Sequence, residues 1–229
     1  MAYDATFDLH AQRSLHGPRA AAYRGVMNTR FEGTPVRLLV IPGLNNSEEG
    51  HWQTWLQTLY SGAVRVKQKD WTHPDLEAWA RQIDRVVGQA SERTTWVAVA
   101  HSFGSLALAH YLSTQPRRRP GGIRSALLVA PANPAKFGLD EQLPREGLGI
   151  PTQVLGSEND PCMPLEVAQT WAHHWGARFH NLGPVGHINV ASGHGPWPWV
   201  RFKVDQLIHD QQRERRLERA HPLELNYAI

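Results

Sequence analysis

Cysteine is nearly missing from this sequence: one residue, Cys162, stands among 229. A single thiol excludes an intrachain disulfide and any zinc site built from several cysteines, and it suits a reducing compartment. Long apolar runs are lacking too. No segment approaches the roughly 20 residues that would span a bilayer. The opening stretch "MAYDATFDLHAQRSLHG" carries acids and polar residues where a secretory leader needs a basic start and an unbroken apolar run. A cytoplasmic location is therefore expected. Charge of one sign is not in large excess, since 24 Lys and Arg face 21 Asp and Glu for a net charge of +3. The only basic clusters are residues 117–119 and the mixed run "RERRLER" at 213–219. Neither is interleaved with aromatics, so solvated faces are expected rather than a nucleic-acid partner.

What is present is an alternation. With 41% hydrophobic residues the chain can bury a sizeable core. Runs with strand character cover 36–41, 64–69, 95–100, 123–130, 152–156 and 177–182. Runs with helical spacing lie at 51–60, 76–90, 105–113, 165–175 and 197–209. Strands separated by crossover helices predict an α/β fold: about six mostly parallel strands, covered by helices on both faces. The stretch 131–151 has no strong pattern and the length of a lid or a short helix-plus-loop excursion. There is no internal repeat. One domain over 36–209 is expected, with an N-terminal extension over 1–35 that includes a helix around 11–27, and a charged tail over 210–229 that ends in the apolar "PLELNYAI".

The segment "TTWVAVAHSFGSLALAHYL" from Thr94 joins a strand to a helix with almost no spacer. A turn so abrupt is feasible only when the residues two before and two after its apex are small, and here they are Ala100 and Gly104 around Ser102. Such a turn lifts the hydroxyl clear of the backbone. It also brings the N–H of Phe103 to a helix N-terminus, facing any negative charge that forms beside the serine. The competing role for Ser102 is a plain N-cap.

A serine nucleophile needs a base, and the base needs an orienting acid. Asp160, in "GSENDPCMP", follows the fifth expected strand, and His187, in "GPVGHINVASG", follows the sixth. Parallel sheets gather such loops at one edge, and the order Ser, Asp, His is that of the α/β-hydrolase fold. Each partner has a competing role. Asp160 before Pro161 is a common turn initiator, Glu158 is a rival acid, and His187 could be a surface loop histidine like His173, His174 or His194. A second oxyanion donor is expected from the loop "IPGLNNS": the N–H of Leu44, with Asn45 as the alternative, since Pro42 has none.

These residues resemble the retinoblastoma-binding protein 9 family of small α/β-hydrolase serine hydrolases, in its bacterial form. The resemblance runs over residues 36–200 and rests on "PGLNNSEEGHWQTWL", "AHSFGSLALAHYL", "LLVAPANP", "GSENDPCMPLEVAQTWA" and "GHINVASGHGPWPWV". The first and last of these are the specific ones. It implies Ser102 as nucleophile, Asp160 as acid and His187 as base, a Gly43–Leu44 turn in the oxyanion hole, and a compact core with a minimal cap. Residues 1–35 and those after His209 depart from the family pattern. The family's founding name records protein binding rather than a substrate.

The expected activity is that of a cofactor-independent serine hydrolase of carboxylesterase type, with thioester or amide bonds as alternatives and a small-molecule or peptide acyl compound as substrate. An interaction module on a hydrolase scaffold, with a protein partner at the extra ends, is the competing function. Candidate pocket residues are Asn45, His51, Trp52 and Trp197, joined by Trp199. With nine tryptophans in the chain, packing is the rival role for the indoles. A metal is not expected, because neither the adjacent His173 and His174 nor the spacing of His187 and His194 matches a zinc signature.

Overall fold

A computed structural model describes residues 36–115 and 121–219. The helix expected around 11–27, the arginines at 117–119 and the final "PLELNYAI" lie outside these residues. Six strands form one sheet in the order β2-β1-β3-β4-β5-β6, and every neighbouring pair is parallel. The strands are β1 (Val36–Ile41), β2 (Val64–Arg65), β3 (Thr95–Ser102), β4 (Gly122–Pro131), β5 (Thr152–Gly156) and β6 (Arg178–Asn181). The helices are α1 (Trp52–Thr58), α2 (Leu76–Gln89), α3 (Phe103–Thr114), α4 (Leu165–His174) and α5 (Pro198–Arg219).

The period of two along a strand divides the core between two faces. Leu39 and Ile41 of β1, with Trp96, Ala98 and Ala100 of β3, point to α2, α3 and α4. Leu38 and Val40, with Val97 and Val99, point to α1 and α5. Central strands covered on both sides read as unbroken apolar runs, which is why β1 and β3 stand out in the sequence. Helix α3 is buried around its whole girth through Tyr111, as a helix packed between the sheet, α2 and the 131–151 excursion must be.

Most boundaries shift by a residue or two, and three of the differences have a clear physical reason. The run 64–69 pairs only at Val64 and Arg65, because β2 is an edge strand whose single neighbour, β1, ends at Ile41. Helix α3 starts at Phe103 rather than 105, directly after the last residue of β3. Helix α5 continues to Arg219, ten residues past the expected end, with no wide apolar stripe to announce it. Its second half is held by polar contacts instead: Gln211 is buried, and Arg215 donates to the Arg93 carbonyl and the Thr95 hydroxyl.

The excursion between β4 and β5 contains two short 3₁₀ turns, Pro134–Phe137 and Asp140–Gln142. It buries Leu139, Leu143 and Leu148 in the α3 and α4 side of the core. No described helix is long and apolar enough to cross a membrane.

Candidate active site

Ser102 ends β3 with φ 51° and ψ −127°, a backbone conformation that L-residues rarely adopt. Two glycines make room for it. A Cβ on Gly104 would lie 2.3 Å from the Pro42 carbonyl oxygen and 2.7 Å from that of Ile41, so α3 can meet the end of β1 only without a side chain there. A Cβ on Gly43 would lie 2.7 Å from the Cβ of Ser102. Ser102 occupies the N-cap position of α3, yet its hydroxyl caps nothing.

That hydroxyl meets an imidazole instead. Ser102 Oγ lies 2.9 Å from His187 Nε2, and both carboxylate oxygens of Asp160 lie 2.9 Å from His187 Nδ1. A carboxylate can only accept, so Nδ1 carries the proton and Nε2 is left to accept from the serine. The Asp160 side chain is 2% exposed and that of His187 11%, so this chain of contacts runs from the interior toward the surface. Asp160 is oriented from its other side by the Cys162 N–H, 2.7 Å from Oδ1. Glu158 is exposed and accepts from Asn181 Nδ2.

The loops that carry the acid and the histidine are stitched together. Asn159 Oδ1 accepts from the Gly186 N–H at 2.6 Å, and Ser157 Oγ accepts from the Val185 N–H at 3.0 Å. Farther along the histidine loop, Asn189 and Ser192 form a reciprocal capping box.

Beside Ser102, the N–H of Phe103 opens α3, where backbone donors have no intrahelical acceptor. In the loop after β1, Asn45 donates its N–H to the Trp71 carbonyl at 2.8 Å, and the Leu44 N–H has no backbone acceptor among the described residues. Asn45 and Asn46 both have positive φ, a conformation asparagine tolerates better than most residues. Arg65 fixes this loop by donating to the Asn46 side chain and the Ser47 carbonyl. Gln53 is buried, and its amide nitrogen donates to the Ile41 and Val99 carbonyls, tying α1 to the ends of β1 and β3. Arg65 lies outside every quoted motif, and Gln53, although it falls within "PGLNNSEEGHWQTWL", carries no local pattern that marks its buried role.

Of the candidate pocket residues, His51 and Trp52 lie in the interior, 2% and 0% exposed. Trp197 is half-buried, crossing Trp52 edge-on at 5.7 Å and stacking on Trp199 at 5.6 Å. Burial lowers the His51 pKa to about 4, opposed by Glu48 and assisted by Arg65. Burial, and then the neighbouring His187, holds His101 well below the usual histidine range. Burial, and then the Asp160 charge, pushes the Cys162 thiol up.

Potential ligand atoms of Asp160, Cys162 and His187 lie within 4.8 Å of one another. Both ring nitrogens of His187 are already engaged, so a cation there would have to break a bond to Asp160 or Ser102. A separate cleft of about 210 Å³, lined by Thr95, Arg124 and Glu214 among others, opens at the start of β3, the opposite edge of the sheet from Ser102.

Comparison with known proteins agrees with this architecture. A family model described as serine hydrolase matches residues 38–206. A candidate YdeN-like hydrolase from Pectobacterium atrosepticum is 31% identical, with a TM-score of 0.70 over 76% of this chain and 91% of its own. The ydeN gene product of Bacillus subtilis is 21% identical, with a TM-score of 0.61 over 75% of this chain and 98% of its own. Est1E from Butyrivibrio proteoclasticus shares the fold at 13% identity, with a TM-score of 0.55 over 78% of this chain and 88% of its own. A search of curated proteins finds no match. The matched span and the identity to the Pectobacterium protein together establish that this chain belongs to the serine hydrolase family.

Proposed function

We propose that the protein hydrolyses a carboxylic ester through an acyl-enzyme, with Ser102 as nucleophile, His187 as general base and acid, and Asp160 as the group that orients the imidazole. One observation carries this reading: the continuous run of hydrogen bonds from a buried carboxylate through His187 to a serine hydroxyl held in a strained turn. Ser102 Oγ attacks the acyl carbon while its proton passes to His187 Nε2. The collapsing tetrahedral adduct takes that proton onto the leaving alcohol. Water, deprotonated by the same nitrogen, then releases the acid and restores Ser102.

The negative charge on the adduct's oxygen would be met by the N–H groups of Phe103 and Leu44. The engagement of the Asn45 N–H with Trp71 favours Leu44 over its neighbour. Each such donor is typically worth about 3 kcal/mol of transition-state stabilisation. The motifs shared with the retinoblastoma-binding protein 9 group support placing the chain near that branch of the family, and thioesters and amides are the other bonds this machinery could cleave.

The test is labelling by a fluorophosphonate probe together with turnover of p-nitrophenyl esters of increasing chain length. The wild type is expected to be labelled and active, and Ser102→Ala to lose both. An unlabelled wild type, or an active Ser102→Ala variant, would remove the assignment.

A further inference from the structure

The geometry points to His101 as a positioning residue that ties the height of the His187 loop to the nucleophile's own strand. This inference rests on the roles proposed for Ser102 and His187. His101 immediately precedes Ser102 on β3, so its backbone is continuous with the strained turn. Its side chain reaches 86 residues along the sequence, where Nε2 lies 2.9 Å from the carbonyl oxygen of His187. A carbonyl accepts only, so the proton is on His101 Nε2. One side chain thus joins the strand residue next to the hydroxyl-bearing Ser102 to the backbone of the residue that carries the imidazole.

A second donor acts on the next peptide. Trp52 Nε1, at the start of α1, donates to the Ile188 carbonyl at 2.8 Å. Ile188 is fully buried and has φ 50°, a conformation costly for a β-branched residue, so it persists only where its surroundings hold it. The carbonyls of His187 and Ile188, on successive residues of this strained step, are therefore each taken by a buried ring N–H. The rings also pack against one another. His101 lies 5.0 Å from His187, 5.9 Å from Trp52 and 5.0 Å from His51, centroid to centroid. A neutral His101 in this cluster adds no positive charge beside the imidazole that must accept a proton.

If the His101 contact sets the loop, losing it lets Nε2 of His187 drift from Ser102 Oγ while leaving the substrate's binding surface in place. A displacement near 1 Å at such a contact costs on the order of 100-fold in rate. The experiment compares His101→Gln, His101→Asn and His101→Leu in the full chain, reading kcat and KM for a p-nitrophenyl ester and the rate of fluorophosphonate labelling. The Gln amide places an N–H near the position of imidazole Nε2. Asn is equally polar but too short, and Leu has no donor.

The expected result is that Gln keeps kcat within about 5-fold of wild type, whereas Asn loses about 10- to 100-fold in kcat and in labelling rate with KM little changed. Should Leu fail to fold, the contrast between Gln and Asn carries the test. Asn as fast as wild type, or Gln as slow as Asn, would overturn the proposal while leaving the roles of Ser102 and His187 intact. A wild type that is not labelled at all would overturn both.

Discussion

The Cβ that Gly43 lacks would sit 2.7 Å from the Cβ of Ser102. This near-contact links the loop after β1, which offers the Leu44 N–H, to the turn that offers the hydroxyl. Gly43→Ala must push the two apart, so the expected effect is larger on activity than on stability. Overpacking of this kind costs about 1–3 kcal/mol, and a shift near 1 Å between the proposed nucleophile and its proposed oxyanion donor would cost about 100-fold in kcat. Gly50→Ala is the control, since its new Cβ would meet only Val190, at 3.8 Å. Equal kcat in both variants, measured on the same ester, would show that the tight approach has no catalytic consequence.

The two acids after β5 separate by their surroundings. Asp160 is buried against His187, whereas Glu158 is exposed and bonded to Asn181. Asp160→Asn keeps the shape but cannot hold the Nδ1–H tautomer, and a loss on the order of 10⁴ in kcat is expected. Glu158→Gln should change neither kcat nor stability by more than about 0.5 kcal/mol. The reverse order of effects would move the acid role to Glu158.

How far the fold can be read from the sequence depends on how local its causes are. Strands β1 and β5 are visible to the residue, β1 as a mainly apolar run closed by Pro42 and β5 as a short run that starts after Pro151 and ends on Gly156. Their parallel direction follows from the crossover helices, and it brings the loops holding residues 102, 160 and 187 to one edge. The contacts that fix those loops are less legible. His101 meets a carbonyl 86 residues away and Trp52 one 136 residues away, and no periodicity encodes such pairs. From the sequence Trp52 is a pocket or packing candidate, and the structure gives its indole N–H a specific acceptor, the Ile188 carbonyl. The far half of α5 was hidden for the same reason, because Arg215 is held by Arg93 and Thr95, 122 and 120 residues before it.

That distant contact predicts how the chain tolerates shortening. A cut after His209 would leave every strand intact but remove the buried Gln211 and the Arg215 bonds to the segment leading into β3. A loss of about 1–3 kcal/mol is expected, because the Arg93 carbonyl and the Thr95 hydroxyl each lose a charged donor. Urea unfolding of the shortened and full chains measures it. Coincident midpoints would mean that this half of α5 is only a solvated appendage.

Removal of metal should leave catalysis untouched. The three groups that come within 4.8 Å of one another include both the acid and the base of the proposed mechanism, and a cation among them would compete with the contact between Asp160 and His187. Exhaustive dialysis against EDTA is therefore expected to retain full ester turnover. Activity lost to the chelator and recovered with zinc would contradict a triad that works without metal.

Stability, by contrast, should respond to pH through histidines outside the proposed triad. Burial first, and Arg65 after it, lowers the His51 pKa to about 4 against the opposing charge of Glu48, and His101 is lowered in the same direction. In the unfolded chain both return to about 6.5. Between pH 6.5 and 4 the unfolded state therefore binds protons that the native state refuses, and stability rises with pH across that window. The contribution is complete above pH 6.5 and is lost as pH falls toward 4, amounting for His51 to about 3 kcal/mol at most. Urea unfolding at pH 7.5, 6.5, 5.5 and 5 should show the decline. His51→Asn separates this group from the rest: an Asn oxygen can accept from the Gln53 N–H, as His51 Nδ1 does at 3.1 Å, but does not titrate. A shallower pH dependence in that variant is the expected outcome, and an identical slope would mean that His51 is protonated in the folded protein as readily as in water.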